Sequence, residues 1–207
     1  MASNLFPELQ AYSDARIEEF DSIPENRKAE LKELSKRIQS KLENLEEVSL
    51  NFICTHNSRR SHLTQIWASV AAFYYGIESI KMYSGGTEAT AFNPNAVGAI
   101  ERSGFQVKNP GGPNPKYLLS YAENRINMIC FSKTFNDAFN PKSEFGAIMT
   151  CSSADEACPI IPGADFRLTL TYRDPKESDG TPEESATYDE RCAQIAREMF
   201  HLFYILK

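Results

Sequence analysis

The chain has 207 residues, 42% of them hydrophobic and 24% charged, with a formal net charge of −6 at pH 7. That length suits one domain with an appended segment, and the composition suits a globular core. The acidic balance argues against a broad nucleic-acid or membrane surface, yet leaves room for a small anion site built from a few donors. No apolar run approaches the roughly 18 residues of a membrane span. The start, MASNLFPELQ, lacks the basic segment and long apolar core of a secretory signal. The expected location is therefore the cytoplasm, where the five cysteines are reduced at rest. Such cysteines serve as core fillers, metal ligands or reactive thiols more often than as structural disulfides.

Residues 1–46 contain no glycine, carry dense charge of both signs and read as helical. Ser22-Ile23-Pro24-Glu25 has the form of a capping box with proline in the first turn. Leu31, Leu34, Ile38, Leu42 and Leu45 then form one apolar stripe. The stripe suits packing on the chain's own domain, with a dimer through these helices as the alternative. This segment is expected to be a helical extension, 1–46, on a domain spanning 47–207.

From there the pattern alternates. Val48–Cys54 is expected as a strand, and Ser61–Tyr75 as a helix with Leu63, Ile66, Trp67, Val70 and Tyr74 on one face. Glu78–Ser84 follows as a second strand. Asn93-Pro94 opens a helix that ends near Gly104. Residues 105–144 are irregular and contain the loop signal NPGGPNP, with Asn127–Phe131 as a short strand in a hairpin or edge addition. Phe145–Thr150 is a continuous apolar run, as in a buried parallel strand. Phe166–Tyr172 alternates as a further strand. The last helix carries Tyr188, Cys192, Ile195, Met199, Leu202 and Leu206 on one stripe. Strands alternating with helices indicate an α/β fold with a mainly parallel sheet.

The stretch CTHNSRRS, residues 54–61, has the form C-x5-R. Spacing alone is weak evidence; the context strengthens it. Cys54 stands at the carboxyl end of an expected strand, a polar loop follows, and then a helix. In open parallel sheets that edge is where ligands bind. Backbone N–H groups of such a loop can curl around an anion, and the helix N-terminus adds partial positive charge. Arg60 offers a planar fork for two oxygens of a tetrahedral oxyanion. That field favours a thiolate at Cys54, and Ser61 could donate a hydrogen bond to it. Asn57 suits an internal brace, since asparagine tolerates left-handed backbone and bonds locally. His56 either tunes the thiolate or faces solvent. The bland alternative is a buried Cys54 that closes a core strand beside solvent-facing arginines.

These residues resemble the phosphate-binding loop of the low-molecular-weight protein tyrosine phosphatases and of the thioredoxin-coupled arsenate reductases built on the same fold. YSGGTE at 83–88, NPNAV at 93–97 and Asp174-Pro175 are similar to further blocks of that superfamily, in its order. The resemblance implies a four-stranded parallel sheet flanked by helices. It implies Cys54 as nucleophile, Arg60 as oxyanion clamp, and Thr55, His56, Asn57, Ser58, Arg59, Arg60 and Ser61 as the oxyanion-binding loop. It implies Asp174 as general acid; without it, Asp174-Pro175 reads as a plain surface turn. No metal and no cofactor is expected.

The stretch CSSADEACP begins at Cys151, after the Phe145–Thr150 strand and on the same sheet edge as Cys54. Cys151 and Cys158 could close a disulfide only if the segment between them loops or unwinds. Regular helix would separate them by about 10 Å, and a disulfide needs Cα atoms within about 7 Å. Two inert buried thiols are the alternative. The C-x6-C-P pattern resembles the redox pair of the thioredoxin-coupled arsenate reductases. That resemblance implies that Cys54 attacks arsenate, Cys151 attacks Cys54, Cys158 resolves, and thioredoxin is the electron donor. A phosphatase acting on phosphate esters is the alternative. No aromatic residue directly follows Asp174-Pro175 to line a slot for a substrate ring; Tyr172, just before, is the nearest substitute. Arg59 stands where both groups often have cysteine. Cys130 and Cys192 match no family role and read as core residues.

Overall fold

Val48–Cys54 forms β1, buried along its whole length except at Ser49. A strand covered on both faces reads as a largely apolar run, and the one polar side chain buried inside it, Asn51, donates from Nδ2 to Phe135 O at 3.1 Å. It pairs in parallel with β2 (Ile80–Gly86) on one side and β6 (Phe145–Met149) on the other. β7 (Ala164–Thr169) pairs in parallel with β6, giving a four-stranded sheet in the order β2-β1-β6-β7. The register sets Cys54 opposite Gly86 and Ile53 opposite Met149. The carboxyl ends of β1, β2 and β6 therefore share one edge. The computed structural model describes residues 5–77, 79–123, 125–158 and 160–207. Glu78, expected to open the second strand, and Pro159, of the C-x6-C-P pattern, lie outside the described residues.

The flanking helices are α3 (Arg60–Tyr74), α4 (Pro94–Arg102), α5 (Ser152–Ala157) and α6 (Glu184–Leu206). Asn93 caps α4 as expected, accepting from the backbone N–H groups of Asn95 and Ala96 at 2.9 and 3.2 Å. Two further helices, α1 (Pro7–Glu18) and α2 (Glu25–Glu43), pack on α6. Leu9 of α1 and Leu31, Leu34 and Ile38 of α2 share one apolar core with Trp67, Ile195 and Met199. Among the described residues no helix is long and apolar enough to cross a membrane.

Four expectations need correction. No capping box forms at Ser22: its hydroxyl bonds back to Glu19 O at 2.7 Å, and Pro24 precedes α2 without a side-chain cap. Leu45 leaves the apolar stripe, because the chain turns left-handed there (φ 59) just past the helix end, and its side chain is 94% exposed. β7 begins and ends earlier than Phe166–Tyr172. Leu170 and Tyr172 still donate backbone bonds to Met149 O and Thr150 O, so the ladder continues past the regular strand. Finally, residues 105–144 build a second, antiparallel sheet of β3 (Gln106–Lys108), β4 (Tyr117–Ser120) and β5 (Met128–Cys130). β5 falls within the expected Asn127–Phe131 strand; β3 and β4 are too short to show alternation.

His62, in the first turn of α3, is fully buried and stacks on Phe92 at 4.2 Å. Burial holds its pKa well below 6.5, and nearby Lys133 pushes the same way. The unfolded chain therefore takes up a proton that the folded chain refuses. Above pH 6.5 His62 is neutral in both states and costs nothing, and stability falls as pH drops below it. Urea midpoints at pH 7 and pH 5 should show a smaller acid loss for His62→Gln than for the natural chain; equal losses would sink the assignment.

Candidate active site

The loop between β1 and α3 is organised by a chain of hydrogen bonds. Asn57 takes left-handed backbone (φ 43), and its Oδ1 accepts from the backbone N–H of Lys133 at 3.0 Å. A backbone N–H can only donate, so that bond fixes the amide's orientation. Nδ2 then donates to Ser61 Oγ at 2.9 Å. Ser61 Oγ in turn lies 3.1 Å from Cys54 Sγ, with its own proton left to donate there. Cys54 is 3% exposed, and Asn57 and Ser61 are fully buried.

The exit from β2 wraps the same loop. Thr87 and Glu88 donate backbone bonds to Cys54 O and Thr55 O at 3.1 and 2.8 Å. Gly86 is required here: a Cβ would stand 2.2 Å from Glu88 O and 2.7 Å from both Asn57 N and Thr55 O. Ser58 ties the loop to the start of α4, donating to Ala91 O at 2.7 Å while its carbonyl accepts from Asn93 N. His56 is exposed, with Nε2 3.7 Å from Glu88 Oε2.

Arg60 and Asp174 meet. Arg60 Nη2 donates to Asp174 Oδ2 at 2.6 Å, and Nη1 to Tyr172 O at 3.2 Å. Asp174 also caps the short 3-10 turn Pro175–Ser178, accepting from Lys176 N at 3.1 Å. Arg59 is engaged by other side chains. Its Nε donates to Tyr188 OH at 2.7 Å and its Nη2 to Asp179 Oδ2 at 3.2 Å. Tyr188 in turn donates to Asp179 Oδ1 at 2.8 Å. Burial pushes the Tyr188 hydroxyl up to about 12, so it remains a neutral donor. This triad pins the loop to α6.

Cys151 is buried and caps α5, its sulfur accepting from Ala154 N at 3.4 Å. Thr55 Oγ1 lies 3.5 Å from the same sulfur. Cys54 and Cys151 share a small apolar cluster with Ile53, Met149 and Ala154. Cys158 ends the other side of α5 and is partly exposed. Helix thus occupies the interval between the two cysteines, and regular helix over seven residues sets Cα atoms about 10 Å apart. Cys130 and Cys192 are core residues: burial pushes Cys130 up to about 12 and raises Cys192, which accepts from Trp67 Nε1 at 3.2 Å.

Tyr172 does not line a substrate slot. It is 4% exposed, and the Arg27 guanidinium sits 5.2 Å from its ring centroid. Arg27, on α2, also donates to Thr171 O and lies 3.4 Å from Glu198 Oε2. The N-terminal helices thus brace the backbone that Arg60 grips. Arg27, Asp179, Tyr188 and the Lys133 backbone carried no local signal; each reaches the loop across a long stretch of chain.

No protein-family model matches the chain. Curated proteins do. An arsenate reductase of Bacillus subtilis is 30% identical over 147 residues, 71% of this chain and 88% of that protein. One of Bacillus licheniformis is 27% identical over 158 residues, 75% and 94% of the two chains. Among solved structures, a YwlE mutant from Bacillus subtilis matches with a TM-score of 0.50 at 15% identity, covering 77% of this chain and 98% of that one. A low-molecular-weight protein tyrosine phosphatase from T. tengcongensis gives a TM-score of 0.50 at 16% identity, covering 76% and 99%. At such identities the structures speak for the fold, and the sequence relatives for the family. This chain therefore belongs to the arsenate reductase family, on the fold of the low-molecular-weight protein tyrosine phosphatases.

Proposed function

We propose that this chain reduces arsenate through a three-cysteine relay. The Cys54 thiolate attacks arsenic and a hydroxyl leaves as water, forming a sulfur–arsenic bond inside the loop. Cys151 then attacks the Cys54 sulfur. A sulfur–sulfur bond forms, the sulfur–arsenic bond breaks, and its electron pair stays on arsenic, which departs as arsenite. Two thiols have supplied the two electrons. Cys158 next attacks the Cys151 sulfur and frees Cys54, leaving a Cys151–Cys158 disulfide for an external dithiol such as thioredoxin to reduce. The observation that carries this reading is the pairing of Cys54 and Cys151 in one buried cluster, with Thr55 Oγ1 beside the second sulfur.

A second reading, hydrolysis of phosphate esters, draws on Asp174 at 2.6 Å from Arg60. There Cys54 would carry the phosphoryl group and Asp174 would protonate the leaving oxygen. It needs neither Cys151 nor Cys158. The separating experiment is arsenate turnover with thioredoxin, thioredoxin reductase and NADPH, run beside ester hydrolysis, on natural chain and Cys151→Ser. The expected result is arsenate turnover reduced by about a thousandfold or more with hydrolysis kept within a few-fold. Brisk hydrolysis in both proteins, with no arsenate turnover in either, would leave the phosphatase reading in its place.

A further inference from the structure

The C-terminal end of α5 is held by one side chain. Arg167, on β7, donates from Nη2 to the carbonyl of Asp155 at 2.7 Å and from Nε to the carbonyl of Cys158 at 3.2 Å. The same guanidinium forms an ion pair with the Asp155 carboxylate. Two residues along β7, on the same face of the strand, Thr169 Oγ1 adds a bond to that carboxylate at 2.7 Å. Helix ends leave their last carbonyls without intrahelical partners, and here Arg167 supplies what the backbone lacks. No catalytic step of the proposed relay uses Arg167 or Thr169.

We infer that Arg167, with Asp155 and Thr169, is a latch that keeps α5 wound and so sets the redox potential of the Cys151–Cys158 pair. The inference rests on the relay reading of those cysteines. In the wound state the two Cα atoms are about 10 Å apart, beyond the roughly 7 Å a disulfide spans. Closing the bond must unwind α5. The Asp155 and Cys158 carbonyls then move away from Arg167, and Ala154 N loses the Cys151 sulfur as acceptor. Every one of these bonds belongs to the dithiol form alone. The latch therefore stabilises the dithiol over the disulfide, holding the pair reduced and Cys151 seated beside the loop until chemistry at Cys54 draws it away. Arg167 is a positioning residue: it acts on two thiols through the helix between them.

The test is a redox titration of the full chain in glutathione buffers, with the Cys151–Cys158 disulfide followed by thiol alkylation and peptide mass. Two thiols give up two protons and two electrons, and one glutathione disulfide becomes two glutathione thiols. Arg167→Met keeps the aliphatic stem and removes every donor. It should favour the disulfide about tenfold, moving the midpoint about 30 mV more negative. Thr169→Val, an exposed position on an edge strand, should move it about threefold the same way, and carries the test if Arg167→Met does not fold. General destabilisation would weaken dithiol and disulfide forms alike and leave the midpoint still. An unmoved midpoint, with the disulfide forming in all proteins, overturns the latch and spares the relay. No Cys151–Cys158 disulfide in the natural chain at any buffer ratio overturns the relay reading, and the latch with it.

Discussion

Replacing Arg60 with alanine is expected to lower kcat/KM by about a thousandfold, roughly 4 kcal/mol of transition-state stabilisation. The loop's backbone donors can surround an oxyanion, but Arg60 supplies the full positive charge and the two-pronged geometry. Its fork is already aligned, with one nitrogen on Asp174 and the other on Tyr172 O, and its side chain is only 12% exposed. A tetrahedral oxyanion would compete with Asp174 for those donors in a partly dry site, where charge-assisted bonds count about double. Arg60→Lys should recover little, since an ammonium cannot present two parallel donors. Steady-state kinetics on arsenate and on a phosphate ester would measure both variants. Activity within tenfold of the natural chain for Arg60→Ala would mean that the backbone alone holds the anion.

Asn57→Ala should cost about 3 kcal/mol of folding stability and most of the activity. Alanine loses the local bonding that eases left-handed backbone at this position. It also strands the buried N–H of Lys133, a cost of about 1–3 kcal/mol by itself. Ser61 then has no donor on its oxygen and no reason to aim its proton at Cys54. Two companion variants separate these effects. Asn57→Gly relieves the backbone but leaves the same donor unpaired, so it should recover part of the stability and little of the rate. Asn57→Asp keeps an acceptor for Lys133 N but draws the Ser61 proton to itself and adds negative charge beside the anion loop. Its stability should stay closer to that of the natural chain while its turnover collapses. Denaturant midpoints and turnover, measured together on the three variants, decide the matter; a fast Asn57→Asp would overturn the role given to the Asn57–Ser61–Cys54 chain.

The parts of this site that lie close together in the chain were legible in the sequence. Cys54, Asn57, Arg60 and Ser61 occupy one turn at the point where a strand period gives way to a helical one, so their meeting in one loop could be read from the chain. β6 read correctly because a strand buried on both faces is a continuous apolar run, and β1 because its apolar residues run up to the polar loop at Cys54. What escaped was long-range. Tyr188 lies 129 residues from Arg59, and it sits in an apolar stripe that looked like plain core. Arg27 lies 144 residues from Thr171, among charges typical of a solvated helix. Tyr172 seemed free to face a substrate because nothing local revealed that α2 covers it. The short strands β3 and β4 fell in a stretch that read as irregular, and Leu45 broke its stripe through a backbone turn rather than through its chemistry.

The seating of α1 and α2 on α6 has a consequence for how the protein is made. Helices made early in this stretch dock on one made much later: Glu19 pairs with Arg197, 178 residues onward. At roughly 5–20 residues per second, α2 waits on the order of ten seconds for its partner. Throughout that interval Leu31, Leu34 and Ile38 present an uncovered apolar stripe, the kind of surface that holding chaperones take up. The same separation raises the contact order, which slows refolding from denaturant. Loss of the final turns of α6 would leave that stripe bare for the lifetime of the chain.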